Sequence, residues 1–249
     1  MARLEQRQRQ RRVRAVLAAR AEKRPPMNRT KTWLAWSSGK DSAWALRDLR
    51  ASAEFEVTAL LTTINSDAGR VAMHAVRQTL LESQAEALGL PLVKVPIPAH
   101  CSNAAYEAAM ETAMAGARAQ GVFHVAFGDL FLEDIRRYRE EKLRAVGMTP
   151  LFPLWGRETR ALARDMVAGG LRAHLTCVDP RQLDRRFAGR LFDERLLDER
   201  PAGVDPCGEN GEFHSFAFAG PMFSAPLQVT PGEIVERDGF VFADLVPAQ

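Results

Sequence analysis

Residues 32–42 read TWLAWSSGKDS, a short apolar run that passes at once into a loop of small and polar residues. The run has the length and the aromatic content of a buried strand. After the loop, apolar residues continue at helical spacing, namely Ala43, Trp44, Ala45, Leu46 and Leu49. The sequence therefore predicts a strand, a tight loop and a helix that begins at the loop.

The loop at residues 37–42, called the SSGKDS loop below, has the composition of a phosphate-binding site. The first N–H groups of a helix carry about half a positive charge, and Lys40 adds a full one. Hydroxyls that can donate to phosphate oxygens come from Ser37, Ser38 and Ser42. Asp41 would repel a phosphate, so we interpret it as a helix cap or a magnesium ligand. The alternative is a polar turn that only caps a helix. Because only Gly39 precedes the lysine, the loop is not a Walker A sequence.

Strand-like and helix-like segments alternate from the SSGKDS loop to about residue 178. Strands are predicted over 57–64, 92–95, 122–127 and 171–177, the last of them half-buried because its apolar and polar residues alternate. Helices are predicted from about 74 to 88, capped by Gly89, from 103 to 120, and from 135 to 146 with one apolar side. This alternation predicts a doubly wound, mostly parallel sheet in a domain of residues 27–178. Gly128 and Asp129 follow the strand over 122–127, at the edge where open α/β sheets bind ligands, so we place both in the cofactor site.

After residue 178 the pattern changes, and residues 179–249 predict a smaller α+β domain that ends in a hairpin turning at Asp238 and Gly239. Residues 205–218 read DPCGENGEFHSFAF, in which Glu209, Asn210 and Glu212 put two carboxylates and an amide into a glycine-flanked loop. The structural alternative is a capped turn before the next strand. The carboxylates could hold magnesium, bind ammonium or orient a cationic substrate, and spacing alone does not choose. Cys207 is a possible nucleophile, although a cysteine without a neighbouring base is more often inert.

Charge separates the N-terminus from the rest of the chain. Residues 1–26 hold nine basic and two acidic residues, a net charge of +7, which leaves −4 for the remainder of a chain whose net charge is +3. We predict that this segment is a disordered extension; a basic arm that binds RNA or membrane is the alternative. The mildly acidic body gives no electrostatic reason to expect nucleic acid as a partner.

Composition and cysteine usage point to a globular cytoplasmic protein. The apolar fraction of 46% is ample for a buried core. No uninterrupted apolar stretch approaches the roughly 18 residues of a membrane span, and the N-terminus lacks the apolar core of a secretory signal. The three cysteines are far apart, which argues against a disulfide framework and against a metal site.

The SSGKDS loop resembles the PP-loop signature, usually written SGGxDS, of the ATP pyrophosphatases. Together with MHAVR at residues 73–77, GDLFLEDIRRYRE at 128–140 and DPCGENGEFHSFAF at 205–218, it makes the chain similar to the diphthine–ammonia ligase family over about residues 30–245. GENGE followed by an aromatic residue is the more discriminating element, because many relatives share the PP-loop. Ser38 departs from the common signature, which has glycine there.

The resemblance implies an adenine nucleotide α-hydrolase-like fold and an ATP-dependent ligase that uses Mg²⁺. Such an enzyme adenylates a carboxylate, releases pyrophosphate and then lets ammonia displace AMP to give an amide. The resemblance implies catalytic roles for Asp41, Glu209, Asn210 and Glu212. In the family the acid is diphthine on elongation factor 2. The arginine- and alanine-rich composition looks bacterial, and bacteria lack diphthine, so we expect a small acid or another protein as the acceptor.

Two other functions remain open from the sequence. A tRNA-modifying PP-loop enzyme would share the SSGKDS loop but should bring a basic body or a cysteine pair. A non-catalytic nucleotide-binding module would keep that loop without any need for GENGE. Assembly into a homo-oligomer is also left open.

Overall fold

The structure is a computed structural model that describes residues 29–65, 70–71, 76–98 and 101–247. The predicted extension over residues 1–26 lies outside the described residues, as does the start of the helix predicted from His74. Among the described residues, no helix is both long and apolar enough to cross a membrane.

Parallel strands form the larger of two sheets. They are β1 (Thr30–Ala35), β2 (Phe55–Asn65), β4 (Leu92–Ile97), β5 (His124–Ala126) and β6 (Thr149–Leu151). Strand pairing gives the spatial order β4-β2-β1-β5-β6, and the short β3 (Arg70–Val71) pairs antiparallel with the end of β2. This arrangement confirms the predicted α/β fold with a mostly parallel sheet.

Helices cover both faces of the parallel sheet. They are α1 (Lys40–Ala51), α2 (Gln78–Leu88), α3 (Asn103–Ala119), α4 (Glu133–Ala145) and α5 (Thr159–Ala168). Successive side chains of a strand point to opposite faces, so Leu34 packs in the core cluster with α1 and α2 while Trp33 packs with α3. The predicted strand–loop–helix order around the SSGKDS loop is confirmed. The sheet is therefore doubly wound.

The smaller sheet is antiparallel. It has the order β8-β7-β10-β9 and consists of β7 (Arg172–Val178), β8 (Phe213–Ala219), β9 (Val229–Arg237) and β10 (Phe240–Pro247). A short helix, α6 (Glu194–Glu199), lies between β7 and β8 in sequence. The predicted turn between the last two strands is confirmed, because Asp238 and Gly239 both have positive φ, at 53° and 79°.

β7 differs from the sequence expectation in two ways. It was expected to end the first domain as a half-buried strand, but it pairs with β8 and β10, and every residue after Arg172 is buried. The polar residues of its alternation, His174 and Thr176, are buried as well, and His174 is hydrogen-bonded through Nδ1 to the carbonyl oxygen of Gly189 and stacks on Phe218. The change from one sheet to the other thus falls between β6 and β7, before residue 178.

α4 also differs from its expected pattern. We predicted one apolar side for it, yet Ile135 and Tyr138 are 37% and 43% exposed, and Leu143 alone is buried in this helix. Two arginines of α4 contact the neighbouring aromatic side chains: Arg136 lies over the rings of Phe152 and Trp155, and Arg139 lies over the ring of Phe127.

The strand order creates a crevice next to β1. From β1 the chain adds β2 and β4 on one side and β5 and β6 on the other, so the order reverses between β1 and β5. In open α/β sheets ligands bind outside the carboxyl ends of the strands at such a reversal. The SSGKDS loop and the turn at residues 128–129 follow β1 and β5, and therefore both lie at this crevice.

Candidate active site

A cleft of about 630 Å³ occupies the crevice. Three segments that are distant in sequence line it: the SSGKDS loop, the turn at residues 128–129, and residues 205–212, called the GENGE loop below. The predicted site residues that line the cleft are Ser37, Gly39, Lys40, Asp41, Ser42, Gly128, Asp129 and Glu209. The fold thus brings the two predicted groups of site residues together in one cavity.

Ser38 has a different role from the one expected. It is fully buried, its hydroxyl has no partner among the described residues, and it does not line the cleft. Its backbone φ is 71°, a conformation that costs a non-glycine residue about 1–2 kcal/mol. Its carbonyl oxygen accepts hydrogen bonds from Gln84 Nε2 (3.0 Å) and from the backbone N–H of Ala217 (2.9 Å). Ser38 therefore shapes the loop through its backbone.

The start of α1 offers fewer N–H groups to a phosphate than the sequence suggests. Gly39 is the N-cap, so Asp41 does not cap the helix. The N–H of Gly39 donates to Ser37 Oγ (3.3 Å), and the N–H of Lys40 donates to Ser215 Oγ (3.1 Å) in β8. The antiparallel sheet thus helps to fix the SSGKDS loop.

Lys40 joins the two loops of the cleft. Its side chain is 2% exposed, and Nζ donates to the Asp41 carboxylate (2.7 Å) and to the carbonyl oxygen of Cys207 in the GENGE loop. Nζ also lies over the rings of Phe192 (5.6 Å) and Phe213 (5.3 Å), where a cation is attracted electrostatically. Burial is the largest single influence and lowers the pKa of Lys40, but the charge of Asp41, its hydrogen bond and the other acidic groups nearby together raise the pKa above its usual value, so the amine stays protonated.

Gly128 is required by close packing. A Cβ atom on it would lie 2.9 Å from Asp41 C and 2.9 Å from Ser42 N, closer than such atoms can approach. The carboxylate of its neighbour Asp129 accepts two hydrogen bonds from the Arg139 guanidinium, one from Nε to Oδ2 (2.6 Å) and one from Nη2 to Oδ1 (3.1 Å). Gly128 thus lets the turn pack on α1, and Arg139 neutralises the carboxylate that the turn brings to the cleft.

Asp205 and Glu212 brace the GENGE loop from within. Asp205 Oδ2 accepts from the N–H groups of Cys207 (3.1 Å) and Glu209 (2.9 Å), and Glu212 Oε1 accepts from the N–H of Asp205 (2.8 Å) and from Asn210 Nδ2 (3.1 Å). Glu212 is buried, Asn210 is exposed, and neither lines the cleft. The structure therefore places them where they shape the loop without touching a ligand in the cleft.

Glu209 is the GENGE carboxylate that faces the cleft. Its Oε1 accepts a hydrogen bond from the N–H of Leu130 (2.7 Å), immediately after the turn at residues 128–129. Burial, aided by the charge of Asp41, raises the pKa of Glu209 to about 7 against the opposing effect of that hydrogen bond. A carboxyl group with a pKa near neutrality can exchange a proton at the pH of a cell.

Cys207 lines the cleft but is not activated. Burial raises the pKa of its thiol well above the usual range, and the charge of Lys40 only partly opposes this. The Sγ–H group donates to the carbonyl oxygen of Thr159 at 3.5 Å. Because the thiolate is the nucleophilic form, these surroundings favour the inert alternative for Cys207.

Several residues of the site were missed by sequence reasoning. They line the cleft or hold its loops: Thr62, Thr63, Gln84, Asn103, Tyr106 and Ser215. Gln84 carried a usable signal, since it lies on the apolar face of α2, where a polar residue needs a partner. It donates to the carbonyl oxygens of both Ser38 and Ala217 (2.6 Å). The other five residues carry no signal of this kind in the sequence.

A doubly wound sheet with a polar cleft at its strand-order reversal, closed by a loop from a second sheet, is the arrangement of an α/β protein that binds a ligand at the carboxyl ends of its strands. The family model described as the diphthamide synthase N-terminal domain matches residues 30–150. The model described as the diphthamide synthase C-terminal domain matches residues 158–243. The chain therefore belongs to the diphthamide synthase family, and the resemblance read from its motifs is confirmed. A search of curated proteins finds no significant match.

Proposed function

We propose that the protein is an ATP-dependent, AMP-forming ligase that adenylates a substrate carboxylate and transfers ammonia to it. The family membership supports an ATP-using enzyme. The observation that carries the finer proposal is the bond from Lys40 Nζ to the Cys207 carbonyl oxygen, across 167 residues of sequence. It holds a loop suited to pyrophosphate against a loop suited to a second substrate, within one cleft.

In the first step an oxygen of the substrate carboxylate attacks the α phosphorus of ATP. The bond between the α phosphorus and the oxygen that bridges it to the β phosphorus breaks, and pyrophosphate leaves with the bonding electrons. The SSGKDS loop and the N-terminus of α1 would contact the departing pyrophosphate and stabilise its negative charge. Adenylation has a chemical purpose, because AMP is a far better leaving group than the oxide that ammonia would otherwise have to displace.

Magnesium is expected to enter with the nucleotide. Mg²⁺ usually keeps several waters and is held by one or two carboxylates plus substrate phosphates. Among the described residues no group of three or more His, Cys, Asp or Glu could form a metal site, but a lone carboxylate such as Asp41 in the cleft fits this mode. When bound, the ion would neutralise charge that develops on the phosphate oxygens.

In the second step ammonia attacks the acyl carbon and AMP leaves with its oxygen. Ammonia is mostly ammonium at neutral pH, so a proton must be removed before nitrogen can attack. Glu209 is suited to accept that proton, because it faces the cleft and its pKa is raised to about 7 by burial.

We expect the rate of ammonia transfer to depend on the ionisation of Glu209. Below pH 7 the group is protonated and cannot accept a proton, so the rate at constant total ammonium should rise about tenfold per pH unit and then level off near pH 7. Glu209→Gln should be slower and should lose the levelling near pH 7, because its rate then follows the fraction of free ammonia, which keeps rising above pH 7. ATP–pyrophosphate exchange, which reports the first step alone, should keep its own pH profile. The exposed Glu86→Gln is the matched control. Levelling near pH 7 that persists in Glu209→Gln would contradict the role.

The direct test of the function is isotopic. A carboxylate substrate labelled with ¹⁸O in both oxygens should deliver one labelled oxygen to AMP, because the acyl–oxygen bond breaks in the second step. Pyrophosphate release should be screened across small acids and proteins, with and without ammonia and tRNA. Production of ADP and phosphate would place the attack at the γ phosphorus and overturn the ligase. Turnover that requires tRNA would favour the modifying enzyme, and binding of ATP without turnover the non-catalytic module.

A further inference from the structure

A second cavity, of about 240 Å³, lies outside the cleft. It is lined by Arg160 and Arg164 of α5, by Asp198 of α6, and by Arg200 and Pro206, which follow α6. We call it the arginine cavity. Its volume is below the roughly 300 Å³ at which sites for drug-sized ligands begin, so it suits a small ligand.

The charges of the arginine cavity are only partly balanced. Arg164 is paired, since it contacts Asp198 (3.2 Å) and Glu194 (3.5 Å). The Arg160 guanidinium makes no hydrogen bond within the described part of the chain. Three guanidinium groups against two carboxylates, those of Asp198 and Glu194, leave one net positive charge at the cavity.

Arg200 supplies an independent observation. Its Nη1 donates to the carbonyl oxygens of Pro201 (3.2 Å) and Val204 (2.9 Å), which fixes the guanidinium at the cavity, while its Nη2 has no acceptor among the described residues. An anion in the arginine cavity is the kind of group that would supply an acceptor to Nη2.

We propose that the arginine cavity binds a phosphoryl anion, either inorganic phosphate or pyrophosphate. The planar fork of a guanidinium matches two oxygens of a phosphate, and the Arg160 guanidinium, which makes no hydrogen bond in the described part of the chain, is available to bind them. Through Arg200 and Pro206 the bound anion adjoins the segment that leads into the GENGE loop. The site would be separate from the cleft, and its existence does not depend on the proposed ligase activity.

Titration calorimetry with phosphate and with pyrophosphate, each on the full chain, tests this site. Arg160→Gln removes an exposed guanidinium that has no hydrogen-bond partner in the described structure, so the fold should be unaffected and the Kd of the preferred anion should rise about tenfold or more. Arg200→Gln should weaken binding similarly. Arg195→Gln is the control, because Arg195 is exposed, pairs with Glu199 and lies outside the cavity.

Comparing the two anions identifies the ligand of the cavity. It is the anion that has the lower Kd in the wild type and that loses more affinity in Arg160→Gln. Binding that is equal in the wild type and in Arg160→Gln would assign the anion to the cleft and overturn the proposal. Absence of saturable binding of either anion up to about 10 mM would overturn it as well. Neither outcome bears on the ligase, which is tested by turnover.

Discussion

Asp41→Asn should reduce turnover by about a hundredfold to a thousandfold while leaving the protein folded. This is the range found when one directed group is removed from a site that stabilises developing charge. Asparagine keeps an oxygen that can accept from Lys40 Nζ, so the contact that holds the two loops should persist. What is lost is the negative charge that orients the Lys40 ammonium and that would hold Mg²⁺ on the nucleotide.

Turnover would be followed by pyrophosphate release, and folding by the thermal midpoint. Asp48→Asn is the matched control: Asp48 is also on α1, but it pairs with Arg47 and Arg157 outside the cleft. The control should keep its turnover. If Asp41→Asn also kept turnover within about twofold of the wild type, its charge would have no part in the reaction.

Lys40→Met should lower the free energy of unfolding by about 3–5 kcal/mol, the cost of leaving one partner of a buried ion pair without the other. Methionine matches the stem of lysine in length but donates no hydrogen bond. Asp41 would then lose its counter-charge, and the Cys207 carbonyl oxygen would lose its donor. From the sequence alone Lys40 was expected to contact phosphate, for which the main effect would be weaker nucleotide binding.

Urea unfolding of the wild type, Lys40→Met and the double variant Lys40→Met/Asp41→Asn separates these two roles. Removing the charge of Asp41 as well should recover part of the lost stability, because no unpaired carboxylate remains. Lys31→Met, at an exposed position in β1, should stay within about 0.5 kcal/mol of the wild type. Unchanged stability combined with a weaker affinity for ATP in Lys40→Met would instead favour direct contact between lysine and phosphate.

The sequence by itself determined the parts of this protein that depend on neighbouring residues. The strand before the SSGKDS loop, the helix after it and the final hairpin follow from periodicity and turn chemistry, which act over a few residues. The left-handed cap at Gly89 is of the same kind, with φ of 64°. Family membership was also readable, because it rests on short motifs that stand in the chain whatever their spatial arrangement.

The tertiary structure alone decided how these parts are used. Which sheet receives β7, and whether Lys40 points at a ligand or at the Cys207 carbonyl oxygen, depend on pairings between distant segments. The two GENGE carboxylates are alike in sequence, yet Glu209 lines the cleft and Glu212 braces the loop. The reason is physical: local preferences act within a few residues, whereas burial, partner choice and pKa are set by atoms that only folding brings into contact.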